Sequence, residues 1–250
     1  GAGKTITALI CATRAQERRP GESFVIVISA PSNPLLRQWR DEIKAFGMDP
    51  IIPTFHRKGT TYAVTQATRR FLRTGTHVVL VTNYLLCTSE FQKAIHRGAE
   101  DAGADTMLIG DEAHTLGAEG FIASPPDFFD LRLGLSATPE RQYDPDGTQA
   151  LLEFFGDTVY EFGLSQAIGF CLVPYDYHVH ATTLGGEELS EFVELSTRIG
   201  AKFGQGEDLD DEKLTRLLIK RRRIVETAQS KIQLFHDVLR ERGPRRISHA

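Results

Sequence analysis

Two stretches of the chain carry residue types suited to phosphate chemistry: Gly1-Ala2-Gly3-Lys4-Thr5 at the start, and Asp111-Glu112 far downstream. Glycines let backbone N–H groups turn onto phosphate oxygens, and a helix beginning at Lys4 adds its positive N-terminal dipole. In that arrangement Gly1, Ala2, Gly3, Lys4 and Thr5 form a nucleotide-phosphate loop. Lys4 reaches the β- and γ-phosphates, and the Thr5 hydroxyl ligates Mg2+. The first glycine of a complete pattern, and the strand that feeds it, would precede Gly1. An aspartate at the carboxyl end of a neighbouring strand gives Mg2+ its negative ligand, a role that falls to Asp111. Glu112 can then accept a proton from the attacking water. Helix N-termini also favour acidic residues. That preference does not explain a pair directly after Met107-Leu108-Ile109 and downstream of a phosphate loop.

The elements that must position these residues are legible as patterns. Phe24–Ile28, Val78–Val81, Met107–Ile109 and Leu131–Leu135 are continuous apolar runs, expected as strands buried on both faces of a parallel sheet. Segments of helical period lie between them: Ile6, Leu9, Ile10 and Thr13 after the opening loop, then Pro34–Phe46, Tyr62–Leu72 and Leu85–Ile95. Alternating strands and helices predict right-handed crossovers and a doubly wound α/β sheet. The pattern changes near Leu172, where a domain boundary is expected. Val173–His180 alternates like a half-exposed strand, and helices are expected over 187–203 and 212–242, joined by the acidic Gly204–Asp211.

Composition narrows the class. The 250 residues are 41% hydrophobic and 25% charged, which excludes disordered and fibrous chains. No apolar run approaches the ~20 residues of a membrane span, and the opening does not read as a signal peptide. Cys11, Cys87 and Cys171 lie far apart, suggesting neither a disulfide framework nor a zinc site, so a cytoplasmic setting is expected. His178 and His180 lack a third ligand. The net charge of −4 excludes holding nucleic acid by bulk positive charge, though not in a local groove. Both ends read as cuts in a longer chain.

A third stretch, Leu133–Arg141, places Ser136, Ala137 and Thr138 at a strand end before Pro139, a turn by composition. With it, the ordered series GAGKT, SAPSNPLLRQW (29–39), VTNYLL (81–86), GDEAH (110–114) and LSATPER (135–141) resembles the motifs of superfamily 2 helicases and translocases. The likeness is to DEAD/DEAH-type DNA motors of excision repair, restriction and anti-phage defence. Residues 154–177 resemble the segment after the Ser-Ala-Thr motif, and Arg221–Val225 with Lys231 resemble the linker to a second domain.

The resemblance implies a RecA-like fold for 1–172, with 173–250 leading toward a second RecA-like domain in the full-length protein. It implies ATP and Mg2+ as cofactors and nucleic acid, DNA above RNA, as partner, with nuclease or other defence and repair proteins as further partners. It assigns Gly3, Lys4 and Thr5 to phosphates and Mg2+, Asp111 to Mg2+ and Glu112 to water activation. His114, Ser136 and Thr138 would couple the nucleotide site to a nucleic-acid groove. Pro31, Ser32, Asn33, Thr82 and Asn83 would track a strand's phosphates. Plainer readings stand beside these: His114 as a packing residue, and Ser32, Asn33 and Asn83 as helix caps. Trp39 reads either as a base-stacking ring or as core. Lys213, Arg216, Lys220 and Arg223 form a stripe that is either solvated or phosphate-contacting.

The function expected is thus an ATP-driven motor domain. Without a second domain to supply an arginine finger, the chain alone is expected to bind ATP weakly, hydrolyse it poorly and not translocate. A nucleotide-gated binding or recruitment module is the alternative, and a small-molecule P-loop kinase fits poorly.

Overall fold

Alternate residues of the four apolar runs face opposite sides of one sheet, and both sides are covered. The structure, a computed structural model, describes residues 3–18, 20–116, 119–141, 144–174, 176–204 and 212–242. The chain divides into two units, Gly1–Pro174 and Tyr175–Ala250.

In the first unit the runs form β1 (Ser23–Ala30), β2 (Gly75–Thr82), β3 (Asp105–Asp111) and β4 (Leu131–Leu135). They pair in the order β2-β1-β3-β4, all parallel. Val25, Val27, Val79, Val81 and Leu108 enter one core cluster. Phe24, Ile26, Ile28, Val78, Leu80, Met107 and Ile109 enter the other. That two-residue alternation with burial on both faces is the mark of an enclosed parallel sheet.

The helices divide between the faces. α1 (Lys4–Glu17) and α2 (Asn33–Ala45) cover the second cluster with Ala8, Leu9, Ala12, Leu36, Trp39 and Ile43. Over the first cluster lie α3 (Thr60–Phe71), α4 (Asn83–Leu86), α5 (Ser89–Ala102), α6 (Glu119–Ala123) and α7 (Pro145–Phe155). A short α8 (Leu164–Ala167) follows.

Several expectations are corrected. The single helix expected over Leu85–Ile95 is two helices, because Thr82 Oγ1 caps α4 by accepting from Leu85 N–H and Thr88 Oγ1 bonds back to Leu85 O. β4 is half-exposed rather than buried on both faces, since it pairs only with β3 among the described residues. Among the described residues of 173–180 there is no strand, and Val173, Tyr177 and Val179 are exposed.

The second unit contains α9 (Gly186–Gly204), α10 (Glu212–Glu226) and α11 (Gln229–Arg242). Leu195, Ile199, Leu214 and Ala228 are its buried apolar residues. The helix expected over 212–242 is interrupted at Thr227–Ala228, where Thr227 Oγ1 bonds back to Arg223 O. Glu188 then takes the new N-terminus by accepting from Gln229 N–H at 2.9 Å. Val225, Ile232 and Phe235 are exposed. In the basic stripe, Lys220 is ion-paired to Glu191 at 2.8 Å. Most of the 204–211 connection lies outside the described residues, as do Tyr175 and residues 243–250.

Two outcomes follow. A Cβ at Gly98 on α5 would lie 2.6 Å and 2.7 Å from side-chain carbons of Thr68 on α3. Gly98→Val should therefore cost about 1–3 kcal/mol of stability by overpacking, read from urea denaturation. The Glu188 carboxyl is held below its ordinary pKa of 4.5, first by the Gln229 N–H and then by that of Gly185. A carboxyl with a depressed folded pKa contributes stability above its unfolded pKa and loses it as pH falls through the folded value. Thermal melts of native protein and Glu188→Gln should thus differ at pH 7 and converge as the pH falls below 4.5 and through the lowered folded value.

Candidate nucleotide-binding site

Parallel strands in register end together, and here their ends carry the motifs. Ala30 is level with Thr82, Ser29 with Gly110, and Asp111 with Leu135. The segments beginning at Pro31, Asn83, Glu112 and Ser136 therefore leave the sheet along one edge, the carboxyl edge at which open α/β sheets bind ligands.

Gly3 has φ +81° and ψ +11°, a left-handed conformation that a side chain would strain, and it turns the chain directly into α1. No side chain caps the N-terminus of α1, and no acidic residue occupies its first turn. The first intrahelical bond runs from Thr7 N–H to Gly3 O, which leaves the earlier amides without helical acceptors. Lys4 and Thr5 occupy this first turn, both half-buried. Gly1 and Ala2 lie outside the described residues.

Asp111 ends β3 with 7% exposure. It shares the parity of Met107 and Ile109, so its side chain falls on the face covered by α1 and α2. Its Oδ2 accepts from Trp39 Nε1–H at 2.8 Å, and its Oδ1 accepts from Glu112 N–H at 3.0 Å. Continued alternation would send Glu112 to the opposite face. Instead Glu112 adopts φ +46°, ψ +52°, the one positive φ outside glycine among the described residues. That conformation costs of order 1–3 kcal/mol. It breaks the strand and brings Glu112 Oε1 to 3.2 Å from Lys4 Nζ. Both side chains are about one-third exposed, so the pair is open to solvent and weak as a structural tie.

A 3-10 turn over Ala113–Thr115 follows. Thr115 N–H and Oγ1–H both donate to Glu112 O, at 2.8 and 2.7 Å. Thr115 Oγ1 in turn accepts from Asn83 Nδ2 at 2.7 Å, and Asn83 Oδ1 accepts from Ser29 Oγ. Both ends of the Asn83 amide are thus bonded within the domain, and Thr82 Oγ1 caps α4. His114 Nδ1 lies 2.9 Å from Ser136 Oγ and 3.5 Å from Glu112 Oε2. Thr138 joins through its backbone N–H, which donates to Ser136 Oγ at 3.0 Å. Arg141 donates to His114 O, and its Nε pairs with Asp144 Oδ2 at 2.7 Å. Asp144 caps α7, and the Gly147 N–H, then Arg141, holds its carboxyl below the ordinary range.

Ser32 is the N-cap residue of α2 by backbone, yet its side chain makes no capping bond. Pro31 and Asn33 are exposed beside it. Sequence reading gave no role to Ser29, Thr115 or Arg141, whose contacts join separate motifs. Ser29 opens SAPSNPLLRQW, Arg141 closes LSATPER and Thr115 directly follows GDEAH; that placement was their visible signal.

The carboxyl edge thus holds an uncapped helix terminus, one lysine, one buried aspartate and one reoriented glutamate. No group of three or more His, Cys, Asp or Glu residues able to hold a metal occurs among the described residues. Removing the Thr115 hydroxyl should loosen this edge. Thr115→Val leaves Asn83 Nδ2 without its acceptor and should cost about 1–3 kcal/mol in chemical denaturation, whereas Thr115→Ser should retain most of the stability.

Residues 1–141, more than half of the chain, match the family of the type III restriction enzyme res subunit (ResIII). No curated protein matches the sequence. Among solved structures, a nuclease-deletion mutant of the Type ISP restriction-modification enzyme LlaGI, in complex with a DNA substrate mimic, aligns at 15% identity and TM-score 0.49, covering 84% of this chain and 20% of that one. The Pyrococcus furiosus Hef helicase domain aligns at 14% identity and TM-score 0.40, covering 94% of this chain and 51% of that one. The chain therefore spans about a fifth and about half of those two. The family match, over a parallel sheet that gathers the ordered motifs along one edge, leads to one assignment: the chain belongs to the ResIII family and carries a RecA-like domain of the superfamily 2 helicase type.

Proposed function

We propose that this chain is the ATP-binding motor domain of a nucleic-acid helicase or translocase, and that Gly3, Lys4, Thr5, Asp111 and Glu112 form its nucleotide site. The observation that carries the reading is the 3.2 Å approach of Lys4 Nζ to Glu112 Oε1, which joins the uncapped start of α1 to the end of β3. Neither position predicts the other in sequence. A cation, free helix amides and a left-handed glycine suit phosphate oxygens. Gly1 and Ala2 complete the loop in this reading.

The donors present fit Mg2+ better than an ion that needs a full protein cage. One carboxylate, Asp111, and one hydroxyl, Thr5, leave the remaining positions to phosphate oxygens and water, as Mg2+ prefers. Bound with the nucleotide, Mg2+ would neutralise charge on the phosphates. Lys4 would exchange Glu112 for phosphate oxygens, freeing the Glu112 carboxylate to orient water and accept its proton. His114, within 3.5 Å of Glu112 and 2.9 Å of Ser136, joins the site to the Ser136–Thr138 turn, a route by which the state of the nucleotide reaches the rest of the edge.

DNA is the favoured nucleic acid. Exposed Pro31 and Asn33, with Ser32, present polar backbone and side-chain groups at the same edge. Thr82 and Asn83 serve this surface by holding α4 in place, since their polar atoms are already bonded. A second RecA-like domain elsewhere in the full-length chain would close over the nucleotide, and nuclease or defence and repair proteins are the further partners proposed.

The test is ATP binding and turnover by the full-length protein, with and without DNA. Lys4→Ala should weaken ATP binding roughly 10- to 100-fold, the loss expected for one charge-assisted contact. Glu112→Gln should keep ATP binding and lower DNA-stimulated turnover by about 10²–10⁴. ATP binding with no DNA-stimulated turnover in the native protein would favour a nucleotide-gated binding module, and undiminished binding by Lys4→Ala would overturn the site.

A further inference from the structure

We propose that Trp39 is a positioning residue for Asp111: its indole N–H fixes the carboxylate that the nucleotide site offers to Mg2+. The inference rests on the reading of that site given above. Sequence pattern leaves Trp39 between a base-stacking ring and a core residue. It is 1% exposed and so cannot stack on a base, and volume alone does not account for its contact with Asp111.

Trp39 lies on α2 among Leu36 and Ile43, in the cluster that also holds Met107 and Ile109 of β3. Two-residue alternation carries Asp111 into the same cluster, at the point where β3 ends. A carboxylate buried there must be supplied with donors. The indole supplies one, 2.8 Å from Oδ2, and the Glu112 N–H supplies the other, 3.0 Å from Oδ1. An indole N–H can donate and never accept, so it binds the carboxylate without competing for the metal. Each oxygen spends one acceptor position and retains another. With both oxygens held, the side chain has no rotamer to search when the cation arrives. Outer partners of this kind orient metal-binding carboxylates, and losing one typically costs 10- to 100-fold in metal affinity. Leucine or phenylalanine at position 39 would fill the core and leave Oδ2 without this donor.

These 250 residues hold one tryptophan, so emission from this chain reports on the proposed contact. Binding of a non-hydrolysable ATP analogue is followed by calorimetry across a Mg2+ titration, using this 250-residue chain, Trp39→Phe and a control, Leu36→Ala. Leu36 is fully buried on the same helix. Trp39→Phe should raise the Mg2+ concentration for half-maximal nucleotide binding about 10-fold or more, with nucleotide binding in EDTA unchanged. Leu36→Ala should lower Tm without moving the Mg2+ dependence. In native protein, tryptophan emission should change when Mg2+ and nucleotide are added together and not when nucleotide is added in EDTA.

An unshifted Mg2+ dependence in Trp39→Phe, or an equal shift in Leu36→Ala, overturns the positioning role. Should Trp39→Phe fail to fold, the native emission decides: a Mg2+-dependent change supports the role and its absence overturns it. If native protein binds the nucleotide and Lys4→Ala does not, while Trp39→Phe keeps the native Mg2+ dependence, the positioning role fails and the nucleotide site stands. Native protein that binds no nucleotide in either condition overturns both.

Discussion

A carboxylate buried at the end of a strand has to be given hydrogen-bond donors, because an ion removed from water without partners is unaffordable. Asp111 meets that requirement with one donor from the adjacent backbone and one from a helix packed across the sheet. The second donor ties α2 to β3 through side chains rather than through apolar packing alone. Parity, helix placement and burial all converge on that contact, so the geometry of the edge depends on it.

Next to it, the chain resolves a conflict between strand periodicity and chemistry. Adjacent acidic residues on a strand face opposite sides, so Asp111 and Glu112 cannot both serve one site while the strand continues. The left-handed conformation at Glu112 ends the strand at that residue. Thr115 holds the strained peptide by donating twice to its carbonyl, and Asn83 holds Thr115. Strain at one residue is thus balanced by a hydrogen-bond chain that runs from the Glu112 carbonyl through Thr115 and Asn83 to Ser29, as expected where a backbone outlier persists. Asn83, read in the sequence as either a cap or a phosphate ligand, is bonded at both ends inside this network.

The register of a parallel sheet does the gathering. Strands that end level bring Pro31–Asn33, Asn83, Glu112 and Ser136–Thr138 to one edge without any motif encoding its distance to the others. Family membership and geometry agree on this edge, since the residues matching ResIII, 1–141, include every one of these segments.

The sequence by itself determined the four strands, their parallel α/β arrangement and which stretches carry residue types suited to phosphate chemistry. Each of these depends on local period, turn composition or short motifs, which a linear reading contains. Tertiary structure decided what those residues touch. Whether Trp39 was core or ligand-facing turned on which strand end lay under α2, a relation between residues 72 positions apart. The break between α4 and α5, the interruption at Thr227 and the half-exposure of β4 likewise followed from hydrogen bonds and neighbours that no periodicity records. Ile232 and Phe235 are exposed on α11, since a helix's apolar residues are buried only where another element covers them. Local pattern specifies what a segment can become, and long-range contacts select its partners.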